Sequence, residues 1–226
     1  KIMIYLLDTA DLKAIKYCNE FYPLSGITTN PSIIAKEKDD FWRILRDIRT
    51  VIGNEKMLHV QTIQNKAEKM AEEANLIKEK IGGNLYIKIP ICEEGLKAVS
   101  MIKKLGVGVT MTAIFTPAQA LMAARAGADF VAPYVNRLDN ILGDGTNTVA
   151  EIVRQFEIYN LGCRVLAASF KNAEQVHKCA LYGCHSVTVS EEVLKSLISH
   201  PMTEAAINGF MSDWKNVYGD KKILDL

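Results

Sequence analysis

A single lysine interrupts the apolar run Leu85-Tyr86-Ile87-Lys88-Ile89-Pro90. Burial disfavours the charged form of an amine, so the pKa of Lys88 is expected to fall. A neutral amine can attack a carbonyl and form an iminium, an electron sink that loosens a nearby carbon–carbon bond. The structural alternative is a lysine held in an ion pair with a carboxylate. Asp8 follows the run Ile2 to Leu7 and has two readings of its own. It can cap a helix starting after Thr9, or it can act as a carboxylate that orients or deprotonates a substrate hydroxyl.

Other apolar runs also end in polar residues: Thr28-Thr29-Asn30, Gln61, Thr112, Tyr134 with Asn136-Arg137, and Ser169 with Lys171. Arg137 can clamp a phosphate with two parallel hydrogen bonds; a surface salt bridge is its ordinary use. Gln61, Thr112 and Tyr134 are neutral donors and acceptors able to hold one water beside Lys88. Each can equally be a satisfied polar group of the core. The four histidines, His59, His177, His185 and His200, form no cluster of the kind a metal-dependent aldolase needs. His59 lies inside a strand pattern and reads as packing. Gly-rich nucleotide loops and the GxSxG elbow are missing from the chain.

The elements that carry these residues follow from the pattern of apolar runs. Eight short runs read as strands: Ile2 to Leu7, Leu24 to Thr28, Met57 to Gln61, Leu85 to Ile89, Val107 to Thr112, Phe130 to Val135, Val165 to Ala168 and Ser186 to Val189. Helical patterns separate them. The clearest runs from Asn65 to Ile81, with Asn65 and Glu68 spaced as a capping box and Gly82 as its stop. Continuously apolar strands alternating with helices imply a sheet covered on both faces. Eight such units favour a (β/α)8 barrel over an open doubly wound sheet, and in that barrel the strand ends carrying Lys88 and its companions form one mouth. Ser169 then falls near the habitual phosphate site of such barrels. A terminal helix is expected at about 201–217, with aromatic residues Phe210 and Trp214. It packs either on another subunit or under its own barrel.

A chain of 226 residues that is 49% hydrophobic and 23% charged fits one domain, 1–226. Lysine and arginine total 27 against 26 acidic residues, so nothing general favours nucleic acid or an anionic membrane. Five cysteines without CxxC spacing argue for a reduced, cytoplasmic protein. No apolar run reaches the roughly 18 residues of a membrane span, and the first residues resemble a strand more than a signal segment.

The segments SGITTNPSIIA (25–35), YIKIP (86–90), VAPYVNRLD (131–139) and LAASFKN (166–172) together resemble the transaldolase family, in its short-chain branch that includes fructose-6-phosphate aldolase. The resemblance spans essentially the whole chain. It implies a (β/α)8 barrel using Schiff-base lysine chemistry with no metal or other cofactor. Lys88 would be the Schiff-base residue and Asp8 the group handling a donor hydroxyl. Asn30 and Ser169, with Thr28 in the same substrate-binding set, would hold a dihydroxyacetone unit; Arg137 and Ser169 would take the phosphate. Gln61, Thr112 and Tyr134 would bind the catalytic water. Gln61 and Tyr134 resemble the aldolase side of the family, whose transaldolases usually carry Glu and Phe there. The resemblance also implies sugar-phosphate substrates of the pentose phosphate pathway and a homodecamer of two pentamers in which the terminal helix reaches a neighbour. A catalytically silent barrel that only binds sugar phosphate is the rival from another class.

Overall fold

In the computed structural model, which describes residues 2–226, eight parallel strands close into a barrel in chain order, β1 pairing with both β2 and β8. The elements are β1 Ile4–Asp8, α1 Leu12–Phe21, β2 Leu24–Thr28, α2 Pro31–Lys36, α3 Phe41–Ile52, β3 Met57–Gln61, α4 Ala67–Ile81, β4 Leu85–Pro90 and α5 Glu93–Lys103. They continue with β5 Gly108–Ile114, α6 Pro117–Arg125, β6 Phe130–Pro133, α7 Val135–Asp139, α8 Gly145–Ile158, β7 Arg164–Ala167, α9 Ala173–Leu181, β8 Ser186–Val189, α10 Glu191–Ser196 and α11 Pro201–Tyr218. The expected (β/α)8 barrel is therefore observed, with strand bounds within two residues of the apolar runs.

Strands are apolar on both faces because each face meets a different core. Outward residues such as Leu7, Ile27, Ile87 and Val131 pack under the helices. Inward, Leu6, Met57, Phe130 and Leu166 fill the lower barrel. His59 belongs to this lower layer, stacked on Tyr86 with ring centroids 4.6 Å apart and edge-on to Phe130 at 5.4 Å. Gly108 permits that layer, since a Cβ there would stand 2.2 Å from the Tyr86 ring. His59 is fully buried, and its Nδ1 lies 2.9 Å from the Thr110 hydroxyl. Burial, with Lys88 and Arg164 as further causes, drives its pKa well below the ordinary histidine value. It is a neutral packing residue, as its position in a strand suggested.

Three local expectations are corrected. Helix α4 begins at Ala67 after Lys66, and no Asn65–Glu68 capping box forms. Instead Glu94, at the start of α5, accepts from the Ala67 backbone N–H at 2.9 Å. A carboxylate brought in from the next helix does the work of a cap. The run expected to be a strand through Val135 stops at Pro133, where Val135 turns into α7. Finally, α11 buries none of its residues, so it does not cap the underside of the barrel. Trp214 stays local, 4.5 Å from the Tyr218 ring and donating to the Lys221 carbonyl, while Met202, Ile207, Phe210, Met211 and Val217 face solvent.

Candidate active site

At the carboxyl end of the barrel a cavity of about 120 Å³ is lined by Asp8, Thr28, Asn30, Lys88, Thr112, Ala132, Tyr134, Arg137, Leu166, Ala168, Ser169 and Thr188. Of the residues given a catalytic or binding role, all but Gln61 lie on its wall, while the strand-end neighbours Thr29, Asn136 and Lys171 do not. Thr188 and the apolar members Ala132, Leu166 and Ala168 were not anticipated from sequence. Thr188 carried a usable signal, as a hydroxyl at an alternate position of the eighth apolar run.

Lys88 is 6% exposed, and its Nζ donates to the backbone carbonyl of Thr29 at 2.7 Å. That carbonyl is fixed because the Thr29 N–H and Oγ1 both bond the His59 carbonyl at 3.0 Å. Among the described residues no carboxylate lies in ion-pair range of Nζ, which excludes the ion-paired alternative. Burial pulls the Lys88 pKa below the ordinary lysine value, while the charge of Asp8 opposes the shift.

Asp8 is not a helix cap. Asp11 caps α1, its carboxylate accepting from the Lys13 and Ala14 N–H groups at 2.8 and 3.4 Å. Asp8 instead accepts from the Thr28 hydroxyl at 2.6 Å, and Thr28 in turn contacts the Thr188 hydroxyl at 2.6 Å. Asn30 caps α2 through Oδ1, which accepts from Ile33 N–H at 2.9 Å. Its Nδ2 donors are thereby left for a ligand.

Thr112 and Tyr134 meet through their hydroxyls at 2.9 Å. A register shift between β5 and β6 accompanies them, and Ala113 adopts φ +60°, a left-handed conformation unusual outside glycine. Such irregularities re-aim side chains at a barrel rim. Ser169 also sits at φ +61°, its carbonyl accepting from Asn136 N–H at 2.7 Å. Arg137 makes no salt bridge among the described residues. Its guanidinium carbon lies 4.7 Å from the Tyr134 ring centroid, leaving its donors for an anion.

Gln61 sits in register beside Lys88 on β3, yet it lines an adjacent apolar groove of about 380 Å³ with Thr29, Asn30, Trp42 and Leu76. It hydrogen-bonds neither Thr112 nor Tyr134 among the described residues. Lys171 is not part of the cavity wall; its N–H donates to Gln175 Oε1 at 2.7 Å. Nor do any three His, Cys, Asp or Glu side chains among the described residues converge to hold a metal ion.

A family model described as transaldolase/fructose-6-phosphate aldolase matches residues 5–222. Among solved structures, the chain is similar to one described as native KDPGal, with TM-score 0.57 and 15% identity over 84% of this chain and 82% of that one. It is also similar to the carboxyl transferase domain of Rhizobium etli pyruvate carboxylase, with TM-score 0.61 and 11% identity over 84% and 40%. A mutant of mandelate oxidase with a monooxide FMN adduct gives TM-score 0.58 and 13% identity over 84% and 64%. The chain thus spans less than two thirds of the last two. Likenesses at this identity bear on the barrel fold alone.

Proposed function

The chain belongs to the transaldolase/fructose-6-phosphate aldolase family, and from that premise we propose that it is a Schiff-base aldolase cleaving and forming fructose 6-phosphate from dihydroxyacetone and glyceraldehyde 3-phosphate. The observation that carries this reading is the Lys88 amine: buried, without a carboxylate partner among the described residues, and facing a cavity that also holds Asp8. Desolvation favours the neutral nucleophile.

Lys88 attacks the ketone carbon, and loss of water gives an iminium. Asp8 accepts the proton of the C4 hydroxyl as the C3–C4 bond breaks. The bond pair moves into the iminium, leaving an enamine on Lys88 and releasing the aldehyde. Protonation at C3 and hydrolysis then free dihydroxyacetone. The Thr112–Tyr134 hydroxyl pair supports a role in handling the water and protons of both iminium steps. Asn30 and Ser169 are assigned to the dihydroxyacetone hydroxyls, and Arg137 with Ser169 to the phosphate. The cavity is small enough to suit a three-carbon unit, with the phosphate end extending toward Arg137.

The same enamine captured by an aldose phosphate would make the protein a transaldolase, so the two names differ in partitioning. Borohydride treatment with dihydroxyacetone, followed by mass spectrometric mapping, should place the adduct on Lys88; an unmodified Lys88 would sink the covalent reading. Release of free dihydroxyacetone from fructose 6-phosphate, undiminished in kind by erythrose 4-phosphate, would favour the aldolase. Transfer without release would favour the transaldolase of the pentose phosphate pathway.

Self-association is part of the proposal. An α11 with Ile207, Phe210 and Met211 exposed suits a subunit contact better than free solution. A homodecamer of two pentamers is the assembly proposed, and light scattering tests it. Five free cysteines, four of them buried, support a reducing, cytoplasmic setting. No helix among the described residues is long and apolar enough to cross a membrane.

A further inference from the structure

We infer that Thr188 is a positioning residue for Asp8, acting through Thr28; the inference rests on the Schiff-base reading above. Among the described residues, the one side chain that hydrogen-bonds Asp8 is Thr28, which donates to Oδ1 at 2.6 Å. A hydroxyl carries a single proton. With that proton committed to Asp8, the 2.6 Å contact between Thr28 and Thr188 has one consistent direction, Thr188 donating and Thr28 accepting.

The relay is built across three strands. Thr188 on β8 lies opposite Leu6 of β1, and Asp8 lies opposite Thr28 of β2. Thr28 is 0% and Thr188 3% exposed, so both hydroxyls are shielded from bulk solvent and lie 2.6 Å apart as each other's partner. Lys88 and Arg137 share the cavity with Asp8, yet among the described residues neither hydrogen-bonds it, and the Lys88 amine donates to the Thr29 carbonyl. The orientation of the Asp8 carboxylate therefore depends on hydroxyls.

The consequence lies in the carbon–carbon step. With Oδ1 held by Thr28, Oδ2 is the oxygen presented to the substrate hydroxyl whose proton must leave. Serial hydrogen bonds polarise one another, so removing the outer donor loosens the inner bond as well. Iminium formation at Lys88 with dihydroxyacetone requires no proton transfer to Asp8 from a C4 hydroxyl. Cleavage of fructose 6-phosphate does. Thr188 should thus affect cleavage and leave trapping alone.

The test compares Thr188→Val and Thr188→Ser with wild type in two assays, borohydride trapping of Lys88 with dihydroxyacetone and steady-state cleavage of fructose 6-phosphate. Val keeps the shape and deletes the donor. It should trap like wild type while kcat for cleavage falls roughly tenfold and KM stays within about twofold, a loss confined to the transition state. Ser, which keeps the donor, should restore kcat to within about twofold of wild type. The inference is overturned if Val cleaves like wild type, if Ser is as slow as Val, or if trapping falls in proportion to cleavage. Should the Val variant not fold, Thr188→Ala must give the same separation of trapping from cleavage, or the inference fails. A wild type that gives no Lys88 adduct removes the Schiff-base reading and this inference together; a normal wild type beside an unaffected Val removes this inference alone.

Discussion

Lys88 Nζ donates to the Thr29 carbonyl across 2.7 Å, linking β4 to the end of β2. A carbonyl can orient an amine without supplying the negative charge that would lock it as an ammonium. That distinguishes this lysine from one held in a buried ion pair, where the partner favours the charged form.

The first prediction concerns pH. Because burial lowers the Lys88 pKa, the rate of adduct formation with dihydroxyacetone should rise with pH and level off at a midpoint below the ordinary lysine value. Asp8 is the opposing, pKa-raising cause, so Asp8→Asn should move that midpoint to lower pH. Trapping rates measured across pH for both proteins check this, and an upward shift in Asp8→Asn would contradict it.

A stability change should accompany the chemistry. Between the lowered folded pKa and 10.5, the unfolded chain holds a proton that the folded chain lacks, so the Lys88 contribution to stability rises with pH in that window. Below the window the burial cost is felt in full. Lys88→Met should therefore stabilise the protein by about 1 kcal/mol at neutral pH, an advantage that shrinks toward pH 10.5. Denaturant unfolding at several pH values measures it; a less stable variant at neutral pH would refute the idea.

Asp8 and Asp11 should separate cleanly. Asp11→Ala removes the cap of α1 and should cost about 1 kcal/mol of unfolding free energy with turnover retained. Asp8→Asn should leave stability nearly unchanged and lower kcat for cleavage by roughly a hundredfold. Reversed patterns in melting and kinetic assays would mean that the two carboxylates have been given the wrong tasks.

Tyr134→Phe keeps the ring beneath Arg137 and deletes the hydroxyl that meets Thr112. Release of free dihydroxyacetone should fall about tenfold relative to transfer onto erythrose 4-phosphate, since hydrolysis loses a proton donor and transfer does not need the water. An unchanged ratio of released to transferred product would exclude Tyr134 from partitioning.

Ala113 tests the rim geometry. At φ +60° a β-branched residue is strongly disfavoured, so Ala113→Val should destabilise by about 2 kcal/mol and reduce activity by displacing Thr112. Ala113→Gly should be at least as stable as wild type. Thermal unfolding of the pair decides, and a Val variant as stable as wild type would argue against the left-handed backbone.

Sequence alone determined what depends on neighbours along the chain. Continuous apolar runs alternating with helical periods specify strands covered on both faces, and eight of them specify a barrel. A lone amine inside one run marks Lys88 whatever surrounds it, because burial in any such strand disfavours its charge. Tertiary structure decided everything that depends on competition between partners. Asp8 and Asp11 both stand where a cap can form, and only the path of the chain into α1 gives the cap to Asp11. Glu94 caps α4 because α5 packs beside it, a choice no spacing within α4 encodes. Gln61 has the right strand end but lines the neighbouring groove, and α11 has an apolar sequence with no barrel surface beneath it. Thr188 meets Thr28 across 160 residues of chain. Barrel closure puts those two hydroxyls side by side, and a hydrogen bond is set by that distance in space.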